Sequence, residues 1–199
     1  MPFFLWIIFG AFDWHYKFID DYYFQFGIGP GMQKISYSIG PENGIMNSIN
    51  ASGDAKVGVV FKKNISIFAL ANGGGYGASK NLKLLKDSGN VEPEIGSFGL
   101  GASYKIDKIN MGLAVNYAME YLNDNQSEFT NYPFDPLFRK ESIAFCPNID
   151  FRFMEGRFGK FVTASCGISM NGVILPNGDY NIGFNLIGRG GFFPNHKSK

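Results

Sequence analysis

Ile109, Met111, Leu113, Val115, Tyr117, Met119 and Tyr121 stand at every second position of one stretch, and Asn110, Gly112, Ala114, Asn116, Ala118 and Glu120 fill the places between them. A period of two sends successive side chains to opposite faces of an extended strand, so this stretch has one apolar face and one of small and polar residues. The segment before it repeats the pattern, with Phe98, Leu100, Ala102, Tyr104 and Ile106 against Ser97, Gly99, Gly101, Ser103 and Lys105. With Asp107 and Lys108 as a two-residue turn, Ile106 falls opposite Ile109 and the two apolar faces coincide, which predicts a hairpin.

The same test predicts further strands at 22–32, 49–61, 65–71, 143–153, 158–170 and 180–186, eight in all. Helical periodicity is hard to find. Pro147 lies inside the sixth strand and lacks an amide hydrogen for the ladder, so a bulge or an edge is expected there. Three connections are tight, at 62–64, 107–108 and 155–157. Four are longer, at 40–48, 72–93, 123–140 and 171–179, and they carry Gly, Pro, Asn and Ser. Short turns at one end and longer loops at the other are what an antiparallel up-and-down barrel requires, and transmembrane barrels show that asymmetry. The expected fold class is therefore all-β, an eight-stranded antiparallel up-and-down transmembrane barrel over residues 20–193, with a tail at 194–199.

Which face meets the surroundings follows from the polar side. A water-exposed face should carry Lys, Glu, Asp and Arg, yet here it is mostly Gly, Ala, Ser and Asn, and charged residues make up only 18% of the chain against roughly 25% in ordinary soluble domains. Eight strands enclose a space just wide enough for side chains, so small polar residues suit a crowded interior and the apolar face turns outward to hydrocarbon. Tyr22, Tyr104, Tyr117, Tyr121, Phe151, Phe153 and Tyr180 would supply aromatic girdles at headgroup level. The opposite arrangement, a soluble lipocalin-like carrier with its Phe-rich faces inside around an apolar ligand, is the alternative from a different class.

In these patterns the chain resembles the small outer-membrane β-barrel proteins, the OmpA-type and OmpX-type barrels. The resemblance is one of pattern and topology. Such barrels end in a strand with the signal polar-x-Gly-x-x-apolar-x-apolar; Asn181, Gly183 and Leu186 fit its first positions, while Gly188 stands at the last. The resemblance implies a bacterial outer-membrane location, with outer-membrane lipid as the constant partner and short turns on the periplasmic side.

Candidate site residues fall in two groups. Asp54, Lys56, Lys105, Glu120, Asp150, Arg152 and Arg189 lie on the inferred inner face, where a charge left unpaired costs several kcal/mol. They read as a structural network filling the lumen. Alternatively, resemblance to OmpA-type barrels suggests a gate in which Glu120, Arg152 and Lys105 exchange partners to open a narrow pore. In the loop at 123–140, Phe129, Tyr132, Phe134 and Phe138 are candidate contacts for host or extracellular ligands. Lys80, Lys83 and Lys86 are the cations of the other long loop, at 72–93.

Other chemistry is not expected. The two histidines, His15 and His196, lie near opposite ends, before the first strand and in the tail, so no dyad at the outer rim can be assembled from them and catalysis is not expected. Two cysteines exclude a disulfide scaffold and a structural zinc site, so neither metal nor cofactor is expected. Cys146 is placed on the inner face and Cys166 on the outer, which forbids a bond between them. With a net charge of +1 the chain has no field that favours nucleic acid. Residues 3–12 match the apolar centre of an export signal, without preceding Lys or Arg, and 1–19 are read as a truncated signal or an N-terminal arm. The whole is expected to act as a monomeric, non-enzymatic surface protein with a structural or adhesive role.

Overall fold

The computed structural model describes residues 19–39, 42–75, 80–81, 90–124, 138–158 and 162–192. They form β1 (Ile19–Ile39), β2 (Glu42–Phe61), β3 (Ile65–Gly75), β4 (Lys80–Asn81), β5 (Asn90–Ile106), β6 (Ile109–Asp124), β7 (Phe138–Phe158), β8 (Val162–Ile174) and β9 (Tyr180–Phe192). All pairings are antiparallel. The order runs β3-β2-β1-β9-β8-β7-β6-β5, and β3 then pairs with β5, so eight long strands close into a ring. The two-residue β4 attaches to the far end of β5 through Lys80 and Val91. Closure leaves no edge along the shared length of the strands, so the ladders satisfy backbone donors and acceptors without water.

The hairpin expected at Asp107 and Lys108 is present, with Ile106 opposite Ile109. Asp107 adopts a left-handed conformation there (φ 52°), as the twist of a two-residue hairpin turn requires. Elsewhere the strands outrun the sequence reading. The loop expected at 40–48 is largely strand, since Ile39 pairs with Glu42 and the ladder continues to Tyr22 opposite Val59. The loop at 171–179 shrinks to a five-residue turn between Ile174 and Tyr180. At 40–48 the cause is a change in the outward residues: Ser38, Asn43 and Asn47 are exposed and polar, so apolar alternation weakens while pairing continues. β3 likewise runs to Gly75, β5 starts at Asn90, and Phe138, expected in a loop, opens β7 opposite Leu122.

Two local irregularities differ from expectation. Pro147 makes no bulge; the β7–β8 ladder lapses between Phe145/Ile174 and Asn148/Asn171 and resumes in the same register. A missing amide hydrogen removes a bond without requiring an extra residue. The register shift lies at Arg152/Met154 instead, where Phe153 and Met154 are both exposed. The tight turn expected at 155–157 is consequently strand, and Phe158 pairs with Val162.

The orientation of the wall is unambiguous. Leu113 is 52% exposed, Val115 50% and Phe184 47%, whereas Glu120 and Cys146 are 0% exposed. The apolar faces point outward, and the carrier alternative, which needs them inside, is overturned. On β6 the outward apolar run from Met111 to Met119 matches the roughly 9–11 residues a tilted strand needs to cross a bilayer. Tyr22, Tyr104, Phe151 and Phe153 lie toward the short-turn end of this band and Tyr117, Tyr121 and Tyr180 toward the loop end. Phe98 and Tyr117 pack at 5.6 Å between ring centres across the β5–β6 pair.

Candidate functional site

The inner face is filled from one end to the other, and its filling changes character along the axis. At mid-height Lys56 on β2 donates to both carboxylate oxygens of Asp150 on β7, at 2.9 and 3.0 Å, and to Asn148 Oδ1 at 3.1 Å. Four steps around an eight-strand ring separate β2 from β7, so this pair staples opposite walls. Both partners are buried. Asn110 adds a 3.3 Å bond to Asp150. Asp54 accepts from Asn171 at 2.8 Å and Asn185 at 2.6 Å, so neighbouring amides rather than a cation hold one of its oxygens.

Asparagines do most of the bridging. Asn116 donates to the Ser97 hydroxyl at 2.9 Å, Ser97 donates to Asn72, and Asn72 reaches the Gly172 carbonyl on the far wall at 3.4 Å. Asn50 donates to Asn181 at 3.0 Å. An amide offers donors and acceptors together, so it bridges the lumen without the desolvation cost of a full charge. Space is tight: a Cβ on Gly183 would collide with the Ser52 hydroxyl, which explains glycine at that inward position.

Toward the loops apolar side chains join buried Gln33, Ser48 and Glu120 in the filling. Ile35, Met46, Leu70, Ile95, Leu122 and Val173 form a buried cluster inside the ring. Glu120 is enclosed at this end, with Lys140 Nζ 3.9 Å away. The β8–β9 turn is clasped to β1 through Asp179, which accepts from the Ser36 amide at 2.9 Å and the Ser36 hydroxyl at 2.7 Å. Asn177 donates to the same carboxylate at 2.5 Å. Burial pushes the Asp179 carboxyl up, but these bonds to its ionised form outweigh burial and hold it below the usual aspartate range.

Toward the short turns the lumen opens into a cavity of about 330 Å³, lined among others by Asp21, Lys63, Lys105, Arg152, Glu155 and Arg189. Arg189 lies 3.6 Å from the Tyr23 ring centre and 3.7 Å from Asp21.

All seven predicted inner-face charges therefore line the barrel interior, but they fall into separate groups. Lys56 and Asp150 meet; Asp54 is held by asparagines; Lys105, Arg152 and Arg189 share the short-turn cavity. Glu120 is remote from Arg152 and Lys105. It lies opposite Lys140, whereas Asn110, roughly 30 Å back along β6 at the rise of a strand, lies opposite Asp150. The trio expected for a gate is not assembled. Of the loop contacts, Phe129, Tyr132 and Phe134 lie outside the described residues, as do Lys83, Lys86, His15, His196 and residues 3–12.

Asp21, Tyr23 and Asp179 were missed. Asp21 would have followed from starting the first strand one residue earlier, and Tyr23 already stood on the inner parity of the strand read at 22–32; Asp179 carried no signal, because its partner Ser36 is 143 positions distant. Cys146 is buried inside, Cys166 stands on the outward parity of β8 opposite Met154, and both are free thiols. Among the described residues, no group of three or more His, Cys, Asp or Glu converges as a metal site would.

No protein-family model and no curated protein matches the chain. Among solved structures it is similar to Ail, the attachment invasion locus protein of Yersinia pestis, in complex with the heparin analogue sucrose octasulfate, at 11% identity and a TM-score of 0.48, covering 87% of this chain and 99% of that one. It is also similar to Neisserial surface protein A, at 11% identity and a TM-score of 0.48, covering 86% and 96%. A third is the N-terminal β-barrel domain of Pseudomonas aeruginosa OprF, at 10% identity and a TM-score of 0.33, covering 88% and 98%. The barrel itself rests on the chain's own closed ring of eight strands.

Proposed function

We propose that this chain spans a bacterial outer membrane as a monomeric barrel whose lumen is a structural core, and that its role is structural or adhesive, exercised through the segments at the loop end. The observation that carries the proposal is the inversion of the molecule. Phe26, Ile28, Ile49, Leu100 and Leu186 are largely exposed on the outside, while Lys56, Glu120, Asp150 and many asparagines are buried within. A continuous apolar band of this extent is unstable against water and matched to acyl chains. Short turns then face the periplasm, and the connections at 76–89 and 125–137 face outward.

The filled loop-end lumen favours this reading over a narrow pore. Ions have no hydrated path through the cluster of Ile35, Met46, Leu70, Ile95 and Leu122, and desolvation there is costly.

The test is fractionation. The folded chain is expected in the detergent phase, with faster gel migration before heating than after; a chain that stays in aqueous solution without detergent overturns the membrane assignment. For the role, shortening residues 125–137 to a minimal turn is expected to preserve heat-modifiable migration and to abolish adhesion of displaying cells to a host surface. Unchanged adhesion overturns that part alone.

A further inference from the structure

The turn between β8 and β9 does not stand clear of the barrel. Leu175 at its start is buried and belongs to the apolar cluster inside the ring, and Asp179 at its end is fully buried. The turn is braced from within. The Leu175 amide donates to the Asp179 carbonyl at 2.9 Å and the Gly178 amide to the Leu175 carbonyl at 3.0 Å, while Gly178 takes the left-handed conformation (φ 83°) that the reversal needs. It forms a strap folded over the loop end of the lumen.

One anchor of the strap is on β1, where the Ser36 amide and hydroxyl donate to Asp179. The other is Glu120 on β6, whose side chain also meets the Asp179 carboxylate in a hydrogen bond. Because β7 stands between β6 and β8 in the ring, this contact reaches across a strand. Two carboxyl groups form such a bond only when one of them keeps its proton. Asp179 accepts from the Ser36 amide, the Ser36 hydroxyl and Asn177, donors that hold its ionised form. Glu120 is fully buried, and both its oxygens lack a donor among the described residues. The proton therefore belongs to Glu120.

The neighbouring charges do not alter this assignment. Lys140, opposite Glu120 on β7, has its Nζ 3.9 Å from Oε2, beyond hydrogen-bond reach, and at 39% exposed its charge is screened by water. Arg139 and Glu141 pair with each other on the outward face of β7. β5 presents Ile95 opposite Glu120, and Lys34 of β1 donates to the Gly178 carbonyl at 3.2 Å. An ionised Glu120 would be a buried carboxylate without a donor, set against a second carboxylate.

We propose that the β8–β9 turn is a strap latched by a proton: Glu120 donates a carboxylic proton to Asp179, and loss of that proton sets two carboxylates against each other and frees the strap from β6 while Ser36 keeps it on β1. The loop-end mouth is closed in acid and loosens as pH rises. That this mouth faces the exterior rests on the proposed membrane orientation; the latch itself does not.

The experiment uses the full chain folded in neutral detergent and unfolded with urea across a pH series. Glu120→Gln keeps a donor toward Asp179 and cannot ionise, so parent against variant isolates this one proton. A carboxyl that stays protonated when folded and ionises at about 4.3 when unfolded adds stability below that value and loses it as pH rises toward its folded value. The ratio of the parent's unfolding constant to the variant's is therefore expected to rise by up to about tenfold per pH unit above about pH 4.3, then level off. Infrared difference spectra of parent minus variant at mildly acidic pH should show a protonated-carboxyl band, and amide exchange at 175–179 should quicken in the parent relative to the variant on the alkaline side. Heat-modifiable migration verifies folding. If Glu120→Gln fails to fold, Asp179→Asn carries the test, since removing the second carboxylate should move the step to lower pH. A ratio that stays constant with pH, absence of the band, exchange that follows the variant at every pH, or an unmoved step in folded Asp179→Asn overturns the latch. Failure of the membrane assignment would show instead in detergent fractionation.

Discussion

The two ends of the lumen are built on different principles. At the loop end Ile35, Met46, Ile95 and Leu122 pack as in the core of a soluble protein, and the buried carboxylate of the β8–β9 turn, Asp179, is held by Ser36 and Asn177. At the short-turn end charged side chains line a cavity, and Arg189 stands 3.7 Å from Asp21. Between them, Lys56 and Asp150 join opposite walls. The difference teaches that a closed barrel of eight strands does not need a uniform interior. Closure satisfies the backbone, so the contents of the lumen are free to serve as a plug at one end and a vestibule at the other.

The staple between these regions should be the most sensitive position. Lys56→Met leaves Asp150 buried without its cation and is expected to cost about 3–5 kcal/mol in urea unfolding from lipid vesicles. Adding Asp150→Leu should restore most of that loss, because a buried pair can be replaced by apolar side chains at little net cost. If the single variant is as stable as the parent, mid-lumen is hydrated and the division into plug and vestibule fails.

Next comes the plug. Leu122→Ala empties a fully buried site and is expected to cost about 2–4 kcal/mol, the range for truncating a core leucine. A loss below about 1 kcal/mol would mean that the loop-end cluster is loosely packed, contrary to its burial. Planar bilayer recordings of the parent sharpen the same point, with no single-channel current expected.

How much of this was legible in the sequence depends on which environment each residue meets. Inside the hydrocarbon band the alternation of Ile109 to Tyr121 dictated both pairing and facing, because one face had to be apolar. Beyond the band that constraint lifts. Ser38, Asn43 and Asn47 alternate with inward residues as regularly as before, but apart from Ile45 their outward face is polar, and a single apolar residue does not mark the paired backbone there. The candidate site follows the same logic. Parity placed Lys56, Asp150, Arg152 and Glu120 on the inner face, yet their partners depend on strand stagger, which a single sequence does not encode; hence Glu120 was grouped with Arg152 although they lie far apart along the barrel. The bulge at Arg152/Met154 left no trace because both residues beside the shift, Phe153 and Met154, are apolar and outward.

The clasp at Asp179 should be worth less than the plug. Asp179→Ala removes acceptors for the Ser36 amide and hydroxyl and is expected to cost about 1–2 kcal/mol. Its pH dependence has a definite sign. The folded carboxyl titrates below the ordinary range, so its contribution is fully present above the unfolded value of about 4 and is lost as pH falls through the lower folded value. Parent and variant stabilities should converge only on acidification below about pH 4; convergence at neutral pH would show that the clasp is not formed.

The smallest effect is expected in the vestibule. Asp21 lies 3.7 Å from Arg189, beyond a good hydrogen bond, and the cavity beside it admits water. Asp21→Asn should therefore change stability by less than about 1 kcal/mol, because the long contact with Arg189 and the unpartnered Asp21 Oδ1 leave little interaction to lose, although the residue is as inward as Asp150. If Asp21→Asn instead destabilised the barrel as severely as Lys56→Met, the short-turn end would be a tight ionic core like mid-lumen, and the contrast between the two ends would reduce to a difference in residue type without a difference in packing.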